Sequence, residues 1–420
     1  MATLLLSGAR VWSAGEGVPY RADVLVENQQ IRKIFRGGAG QEVGGAVGSD
    51  PQRLDFTGCT LIPGLIDGHS HLSFAEPVNF ADHGNIPPEE HVLLTMRNAR
   101  IVLEAGFTSV LSAGTAQPRL DVVIRNAINA GQIPGPRMLA ASPELTNTGN
   151  LGDERMMHIY RESVGMIVDG ELEMLKTCRL LIREGVDTLK LNVSGNHTVK
   201  GSRQHQTIML ESELAMAART AHAHGKRLAV HTRAAESILL ALKYQADILY
   251  HLEFADSEAL DALEAQKDRI FVAPAFGLLH NTIYEAEAFG ITRAKAEAAG
   301  MMEQFEGVLK VYPELKKRGV RVLIGGDYGF PWTPHGTNAR DLEHFVKFFG
   351  YSPAEALTAA TRTGAQAMLL PGRTGEIQEG FLADIVAVAG DPTLDVRVLQ
   401  DAAKIRMVMK DGAIHVRQTG

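Results

Sequence analysis

Two histidines one residue apart follow an apolar run in the segment "LIPGLIDGHSHL", residues 61–72. Successive side chains of a β-strand point to opposite faces, so residues two apart share a face. His69 and His71 would therefore reach the same point, and two neutral imidazoles that converge at a strand end form half of a metal site. Taken alone, each histidine is equally compatible with an ordinary hydrogen-bonded core or surface position.

Three further candidate ligands stand at the ends of short apolar segments. They are His231 in "RLAVHT", His251 in "ILYHLEF" and Asp327 in "VLIGGDYG". Imidazole nitrogens and carboxylate oxygens are ligands that Zn²⁺ and similar divalent ions accept. A closed structural zinc site needs only four ligands, so five at one rim indicate two metal ions, or one metal ion plus a catalytic base.

Lys190 lies in the middle of the apolar segment "DTLKLNVS". A buried ammonium is costly unless it pairs with an acid or loses its proton. One interpretation is therefore an ammonium that reaches the rim or pairs with a carboxylate. The other is a neutral amine carboxylated by CO₂, whose carbamate oxygens can bridge two metal ions. The sequence leaves both interpretations open.

The segments that carry these residues alternate with amphipathic stretches from about residue 60 to residue 350. Eight apolar runs have strand character, from "CTLIPGLIDGHSHL" to "VRVLIGGDYG", and helix candidates such as "ESELAMAARTAHAHG" lie between them. This alternation predicts an α/β fold with a (β/α)₈ TIM-like barrel, in which active sites occupy the C-terminal ends of the strands. A doubly wound open sheet is the alternative architecture.

The two chain ends carry short strand candidates separated by polar or glycine turns. Residues 1–60 and 366–420 are therefore predicted to pair into one small β-sandwich domain, and residues 61–365 to form the metal-dependent catalytic barrel. The glycine-rich stretch at 36–52 is interpreted as a flexible loop, because no helix follows it as a phosphate-binding loop would require.

Composition favours an enzyme that acts on small molecules. The chain has 420 residues, 45% of them hydrophobic, and a formal net charge of -7 without any basic run, which argues against nucleic acid as a partner. Cys59 and Cys178 are the only cysteines, too few for a disulfide framework, and no segment reads as a signal peptide or a membrane span. The prediction is a cytoplasmic protein without a nucleic-acid or membrane partner.

These motifs, in this order, resemble the amidohydrolase superfamily, specifically its imidazolonepropionase-like and prolidase-like branch. The resemblance covers essentially the whole chain and rests on "IPGLIDGHSHL", "TLKLNVSG", "LAVHTRA", "LYHLEF", "IGGDYG" and "SPAEALTAATRTGAQAML" followed by "GEIQEGFLADIVAV". It implies two divalent metal ions, expected to be zinc. It also implies a homo-oligomer, since members of this branch often associate through barrel faces.

Residue by residue, the resemblance implies that His69, His71 and Asp327 bind the more buried metal ion. His231 and His251 would bind the second, and a carboxylated Lys190 would bridge the two.

The resemblance further implies hydrolysis of a C–N bond. A metal-bridging hydroxide would attack a carbonyl that the second metal polarises, with Asp327 as general base and then general acid. The expected substrate is a small amide, carbamate, urea or cyclic amide. The alternatives are an Xaa-Pro or N-acyl-amino-acid type dipeptidase and a metal-binding barrel with a non-hydrolytic function, such as an isomerase or lyase.

Two departures from the branch bear on the substrate. Dipeptidases of this branch commonly carry "TGGHGD" after strand three and "HAY" after strand five, and the His and Tyr help hold the substrate carboxylate. This chain reads "TGNLGD", with Leu151 at the His position, and "HTR", with Arg233 at the Tyr position. Arg233 either receives a carboxylate as a bidentate donor or forms a salt bridge with a neighbouring acid.

Several other residues near the candidate ligands in sequence are predicted to line the substrate pocket: Asn192, His197, Tyr328 and Trp332. The long segment 145–170 is interpreted as a lid or substrate wall, or else as an insertion that merely packs. Five other histidines that lack a strand-end position are interpreted as ordinary loop or surface residues: His83, His158, His205, His280 and His335.

Overall fold

The computed structural model describes residues 3–38, 51–75, 77–158 and 163–418. The fold is α/β, as predicted, with strands from both chain ends in one mixed sheet and parallel strands alternating with helices in between. Most of the glycine-rich stretch predicted to be a flexible loop lies outside the described residues.

Eighteen strands lie within the described ranges, and they are numbered in chain order. They are β1 (Thr3–Ser7), β2 (Arg10–Val11), β3 (Tyr20–Glu27), β4 (Gln30–Arg36), β5 (Gln52–Asp55), β6 (Cys59–Pro63), β7 (Leu65–Ser70), β8 (Phe107–Ser112), β9 (Arg137–Leu139), β10 (Ala141–Thr146), β11 (Met166–Ile167), β12 (Thr188–Asn192), β13 (Arg227–Ala234), β14 (Ile248–Phe254), β15 (Phe271–Ala273), β16 (Ile385–Ala389), β17 (Ile405–Lys410) and β18 (Ala413–Arg417).

The α-helices of the same ranges lie between β7 and β16. They are α1 (Pro88–Glu104), α2 (Leu120–Asn129), α3 (Glu171–Glu184), α4 (Glu211–Ala223), α5 (Ala235–Lys243), α6 (Ser257–Ala265), α7 (Phe276–Tyr284), α8 (Arg293–Ala298), α9 (Met301–Lys317), α10 (Arg340–Phe348), α11 (Pro353–Thr358) and α12 (Gly364–Ala367).

The mixed sheet joins the two chain ends. Its strand order is β18-β17-β16-β6-β2-β3-β1-β5, with β4 paired to β3. The antiparallel pairing of β16 with β6 brings Val386 opposite Ile62. Side chains such as Leu6, Val24 and Met407 bury themselves in a core that belongs to this sheet. Strands from the first and last parts of the chain thus belong to one hydrogen-bonded sheet.

The remaining strands pair in parallel. One set has the order β7-β8-β9 and the other β11-β10-β12-β13-β14-β15. Only Ala140 separates β9 from β10, so one extended stretch pairs first with β8 and then with β12. Beyond β15, isolated parallel bridges join Val272 to Val322 and Ser70 to Tyr328. Parallel pairing therefore continues through the 320s back to β7.

The segment 320–329 differs from its prediction, since it forms isolated bridges and not a regular strand. The cause is the close approach of its backbone to β7. A Cβ atom on Gly325 would lie 2.5 Å from the Cβ of His69, and one on Gly68 would lie 2.6 Å from the Cβ of Leu323. Asp327 then takes a left-handed φ of 63°, which turns the chain away from an extended path.

The central parallel strands are buried along their length. Every residue of β12 and β13 is buried, and in β14 only Phe254 is partly exposed. Such strands are covered on both faces and read as nearly continuous apolar runs. Charged or polar side chains interrupt them near their C-terminal ends, which is where the candidate ligands lie.

Two smaller predictions concern cysteines and membranes. The thiols of Cys59 and Cys178 are both free and buried. Among the helices of the described ranges, none is both long and apolar enough to cross a membrane.

The contact between Gly325 and His69 generates a stability prediction. Gly325→Ala should lower the free energy of unfolding by about 1–3 kcal/mol, because its methyl group must push His69 and the backbone of β7 aside. Chemical denaturation followed by circular dichroism measures this. Gly17→Ala is the matched control, since a Cβ there meets nothing within 4 Å. Equal stability of the two variants would contradict the close approach.

Candidate active site

The ends of β7, β12, β13 and β14 and the 320s segment meet at one cavity with an empty volume of about 1000 Å³. Its described lining includes all six residues predicted as metal ligands: His69, His71, Lys190, His231, His251 and Asp327. His69 and His71 come from the same segment, and their side chains point the same way because a β-strand repeats every two residues. Each of the other four comes from a different strand or segment.

Short distances link the four histidines and the aspartate to one another in a chain of pairs. Asp327 Oδ1 is 3.7 Å from His69 Nε2 and 3.3 Å from His71 Nε2. One ligand atom each from His69, His251 and Asp327 fall within 4.8 Å of one another. The ring centroids of His231 and His251 are 4.2 Å apart. This arrangement can hold cations because all five side chains offer lone pairs to a common space.

Electrostatics keep the four imidazoles neutral. Burial lowers their pKa values well below the ordinary value. The positive charge of Lys190 lowers all four further, and that of Arg233 lowers those of His69, His231 and His251. His71 Nδ1 donates a hydrogen bond to Gly114 O at 2.9 Å, so its Nε2 carries the lone pair that faces the cavity. His69 Nδ1 is buried without a hydrogen-bond partner among the described residues.

Asp327 is the one carboxyl group within reach of both His69 and His71 among the described residues. Burial raises its pKa to about 7, and the positive charge of Lys190 acts in the opposite direction. A carboxyl group with a pKa near neutrality can both accept and return a proton.

Left-handed backbone conformations aim several of these side chains. His251 has a φ of 83°, the following Leu252 a φ of 68°, and Ala275 at the end of the next strand a φ of 52°. Such conformations are uncommon for residues other than glycine and persist only where surrounding contacts hold them. Here the hydroxyl of Tyr312 donates a hydrogen bond to His251 O at 2.9 Å.

Lys190 is paired with an acid that the sequence analysis did not identify. Its Nζ donates to Ala113 O at 2.8 Å and lies 3.3 Å from Glu144 Oε1. The other oxygen of Glu144 accepts a hydrogen bond from Asn192 Nδ2 at 2.8 Å. A lone acid in the apolar stretch "ASPELT" was the available signal, because a buried lysine requires a buried acid.

Arg233 forms a salt bridge, which is one of its two predicted interpretations. Its Nη1 pairs with Glu253 Oε1 and donates to Gln304 Oε1 at 2.7 Å. Its Nε donates a hydrogen bond to His231 Nε2 at 3.3 Å, which a metal ion bound at that nitrogen would replace. Glu253 and Gln304 both line the cavity and were missed, because nothing in the chain order relates residue 304 to residue 233.

The other residues predicted to line the pocket divide into two groups. His197 and Trp332 line the cavity, and burial lowers the pKa of His197 to about 4. Asn192 and Tyr328 lie outside the described lining. The amide of Asn192 bonds Glu144 and Leu151 O, and the hydroxyl of Tyr328 donates to Asp341 Oδ1 at 3.1 Å.

Within the long segment 145–170, Leu151 lines the cavity. That segment is therefore a wall of the cavity at this residue, in agreement with one of its two interpretations. Residues 159–162 of the segment lie outside the described residues.

Much of the remaining lining is apolar or aromatic. The rings of Phe330 and Trp332 stack with centroids 5.2 Å apart. The apolar wall, as this part of the lining is called below, comprises Phe74, Phe80, Leu278, Leu279, Ile291, Met301, Phe330 and Trp332. Cavities that combine such walls with a few polar groups are typical of small-molecule sites.

The buried His83 and the partly exposed His335 hold the segment that follows His71. His83 Nε2 contacts Ala75 O at 3.1 Å, and His335 Nε2 lies 2.9 Å from Phe74 O. His83 has no exposed surface, so its interpretation as a surface residue is wrong. The ring of Phe74 stacks on His71 with centroids 4.2 Å apart, and these contacts therefore fix one candidate ligand from behind.

Comparisons with known proteins show the family to which the chain is related. The model of the Amidohydrolase family matches residues 60–414. Ochratoxinase of Aspergillus niger is 26% identical over 98% of this chain and 86% of the relative. Imidazolonepropionase of Legionella pneumophila (strain Corby) is 25% identical over 80% of this chain and 81% of the relative.

Solved structures share the fold. A Xaa-Pro dipeptidase with bound methionine in the active site superposes with a TM-score of 0.83 at 24% identity, covering 98% of this chain and 99% of that one. The structure of the A. niger ochratoxinase gives a TM-score of 0.83 at 22% identity, covering 99% of this chain and 96% of that one. At these identities the likeness concerns the fold alone.

The support behind His71 generates a second stability prediction. The buried amide of Asn98 donates to Leu72 O at 2.9 Å and to Phe74 O at 3.1 Å. Asn98→Ala should lower the free energy of unfolding by about 1–3 kcal/mol, because it removes both bonds. Asn126→Ala, at an exposed position of α2, is the control and should stay within about 0.5 kcal/mol of wild type. Denaturant titration distinguishes them, and indistinguishable midpoints would refute the proposed support.

Proposed function

Because the chain belongs to the amidohydrolase family, we propose that its cavity binds two divalent metal ions, expected to be zinc, and cleaves a small amide, carbamate, urea or cyclic amide. The chain is a hydrolase that acts on C–N bonds. The observation that carries the finer proposal is the convergence of four neutral, buried imidazoles and one carboxyl group on a single cavity.

In this proposal His69, His71 and Asp327 hold one metal ion, and His231 and His251 hold the other. The unpartnered Nδ1 of His69 and the fixed tautomer of His71 support the assignment, since neutral rings with free lone pairs are what such ions require. When bound, two divalent ions supply a water of lowered pKa and a Lewis acid for the substrate carbonyl.

Lys190 is proposed to be carboxylated and to bridge the two ions. A carbamate keeps one N–H group, and Ala113 O lies 2.8 Å from Nζ to accept its hydrogen bond. Carboxylation converts a cation into an anion, so Glu144 would lose its ion pair and retain Asn192 as donor. Glu144 must therefore separate from Lys190 when the carbamate forms.

Asp327 is proposed to take a proton from the attacking water and deliver it to the departing nitrogen. A carboxyl group in contact with the attacking water can accept its proton and return it to the leaving nitrogen. Burial raises the pKa of Asp327 to about 7 in the metal-free protein, and bound divalent ions would lower it, so the protonated form would be transient. The contact with His71 Nε2 at 3.3 Å keeps the carboxyl group at the centre of the site.

Substrate binding is proposed to use Arg233 and His197, which line the cavity, together with the apolar wall. Asn192 and Tyr328 would contribute as positioning residues, the first through Glu144 and the second through Asp341. The alternative of a dipeptidase has less support, since Leu151 offers no donor to a carboxylate and Arg233 already has a carboxylate partner.

The predicted architecture is part of the proposal. We infer a closed (β/α)₈ barrel over residues 61–365, supported by the bridges that connect the 320s to both β15 and β7. Residues 1–60 and 366–420 would form the small β-sandwich domain. A homo-oligomer, a cytoplasmic location and the absence of nucleic-acid or membrane partners stay predictions.

Metal content gives the first functional prediction. After reconstitution with Zn²⁺ and removal of excess ions, wild type should hold two equivalents per chain by elemental mass spectrometry. His231→Ala should hold fewer, because one proposed ligand is lost, whereas His205→Ala at an exposed position should match wild type. One equivalent or fewer in wild type would contradict the binuclear site.

The proposed proton transfer by Asp327 gives the second functional prediction. Asp327→Asn and Asp327→Ala should fold normally and lose activity by roughly 10²–10⁴-fold, because neither side chain can transfer the proton. Initial rates on a panel of amides, carbamates, lactams and dipeptides measure this, with Asp261→Asn at an exposed position as control. Near-normal turnover with unchanged metal content would remove Asp327 from this role.

A further inference from the structure

Two side chains of the cavity lining, those of Arg233 and Glu253, form an ion pair with each other. Arg233 is 7% exposed and Glu253 is 3% exposed, and both line the cavity. The Nη1 group of Arg233 contacts Glu253 Oε1 and also donates to Gln304 Oε1 at 2.7 Å. Two acceptors thus engage one nitrogen of the guanidinium group.

The rest of the guanidinium group can still donate one hydrogen bond to an uncharged substrate oxygen. Its Nε donates to His231 Nε2 at 3.3 Å and its Nη1 is engaged as described, which leaves Nη2 as the guanidinium nitrogen without a hydrogen bond within the described ranges. Arg233 can therefore donate a hydrogen bond to a substrate oxygen. Its positive charge, however, is already balanced by Glu253 at contact distance.

No other unbalanced cationic side chain is available among the described lining residues. Lys190 is the only lysine there; as an ammonium it pairs with Glu144, and as the proposed carbamate it would carry no positive charge. An anionic substrate group placed against Arg233 would approach the carboxylate of Glu253 in a buried environment, where repulsion between like charges is weakly screened. The same cavity lining includes Leu278, Leu279 and Met301, which offer apolar contact.

We propose that Glu253 is a specificity-determining residue: by balancing Arg233, it makes the cavity select amides that lack a carboxylate beside the scissile bond and that carry an apolar group for the apolar wall. This inference rests on the proposed function and narrows its substrate class. The selectivity comes from a repulsive element built into the site as well as from attraction.

The test uses two amides that differ only in the carboxylate, N-benzoyl-L-phenylalanine and N-(2-phenylethyl)benzamide. Both release benzoate, which chromatography quantifies. With the zinc-loaded wild type, kcat/KM for the neutral amide should exceed that for the anionic one by at least about tenfold. In Glu253→Gln, which keeps an acceptor for Arg233 but removes its negative charge, this ratio should fall at least about tenfold. The change should lie in the KM of the anionic amide.

Matched variants separate a local effect from a change in net charge. Glu303→Gln removes one negative charge beside Gln304 but outside the cavity lining, where Glu303 contacts His205, and should leave the ratio unchanged. Gln304→Glu adds a second carboxylate against Arg233 and should raise the ratio, which provides a test even where Glu253→Gln does not fold. The bound metal ions contribute equally to all variants compared.

A wild type that prefers the anionic amide, or an equal ratio in wild type and Glu253→Gln, would overturn the inference while leaving the hydrolase intact. Failure of the zinc-loaded wild type to hydrolyse either amide would instead refute the proposed substrate class. In that case calorimetry on the same zinc-loaded variants measures the dissociation constants of the two amides. The inference then requires that wild type bind the neutral amide more tightly than the anionic one, and that this preference fall in Glu253→Gln.

Discussion

The candidate site depends on how closely two backbones approach each other. β7 and the 320s segment lie side by side with glycine at the contact points, Gly68 on one and Gly325 on the other. The amide of Gly68 donates to Ile324 O at 2.8 Å. Because no side chain separates them, His69 and Asp327 emerge from neighbouring backbones at the same level. A bulkier contact would move the carboxyl group out of reach of the imidazoles.

Around this contact, each buried cationic side chain of the cavity lining is paired with its own carboxylate. Lys190 faces Glu144, and Arg233 faces Glu253, each pair nearly inaccessible to solvent. Burying an ion is costly unless a partner and hydrogen bonds compensate it, and here Asn192 and Gln304 provide the additional bonds. The histidines meet the same constraint differently, because burial keeps them neutral. The lining of the cavity can therefore be both largely inaccessible to solvent and rich in polar atoms.

The sequence predicted the parts of the site that depend on local periodicity. His69 and His71 share a face because strands repeat every two residues, and His231 and His251 follow apolar runs that could only be buried strands. Glu144 and Glu253 also lie in strands, β10 and β14, but neither was predicted to be part of the site. Their roles follow from which strand lies beside which, and no local pattern carries that information. The 320s segment was predicted as a strand from its apolar residues, whereas its path is set by contacts with β7.

The same reasoning explains His83. Its sequence context is a loop, and only the fold shows that the loop covers Phe74 and the ring of His71. Residues that support a ligand from behind have no motif of their own, because their partners are backbone carbonyl groups, which every residue possesses.

The pairing of β6 with β16 has a consequence for how the protein is made. The hydroxyl of Thr60 donates to Gly390 O, 330 positions later in the chain, and β6 leads through Gly64 directly into β7. During synthesis on the ribosome, β6 must remain without this neighbour until nearly the whole polypeptide has been translated. Contacts so distant in sequence form slowly and leave strand edges exposed meanwhile. The strand that carries His69 is thus anchored at one end only late in biogenesis, so a nascent chain that stalls before β16 would present an incomplete sheet to chaperones and proteases.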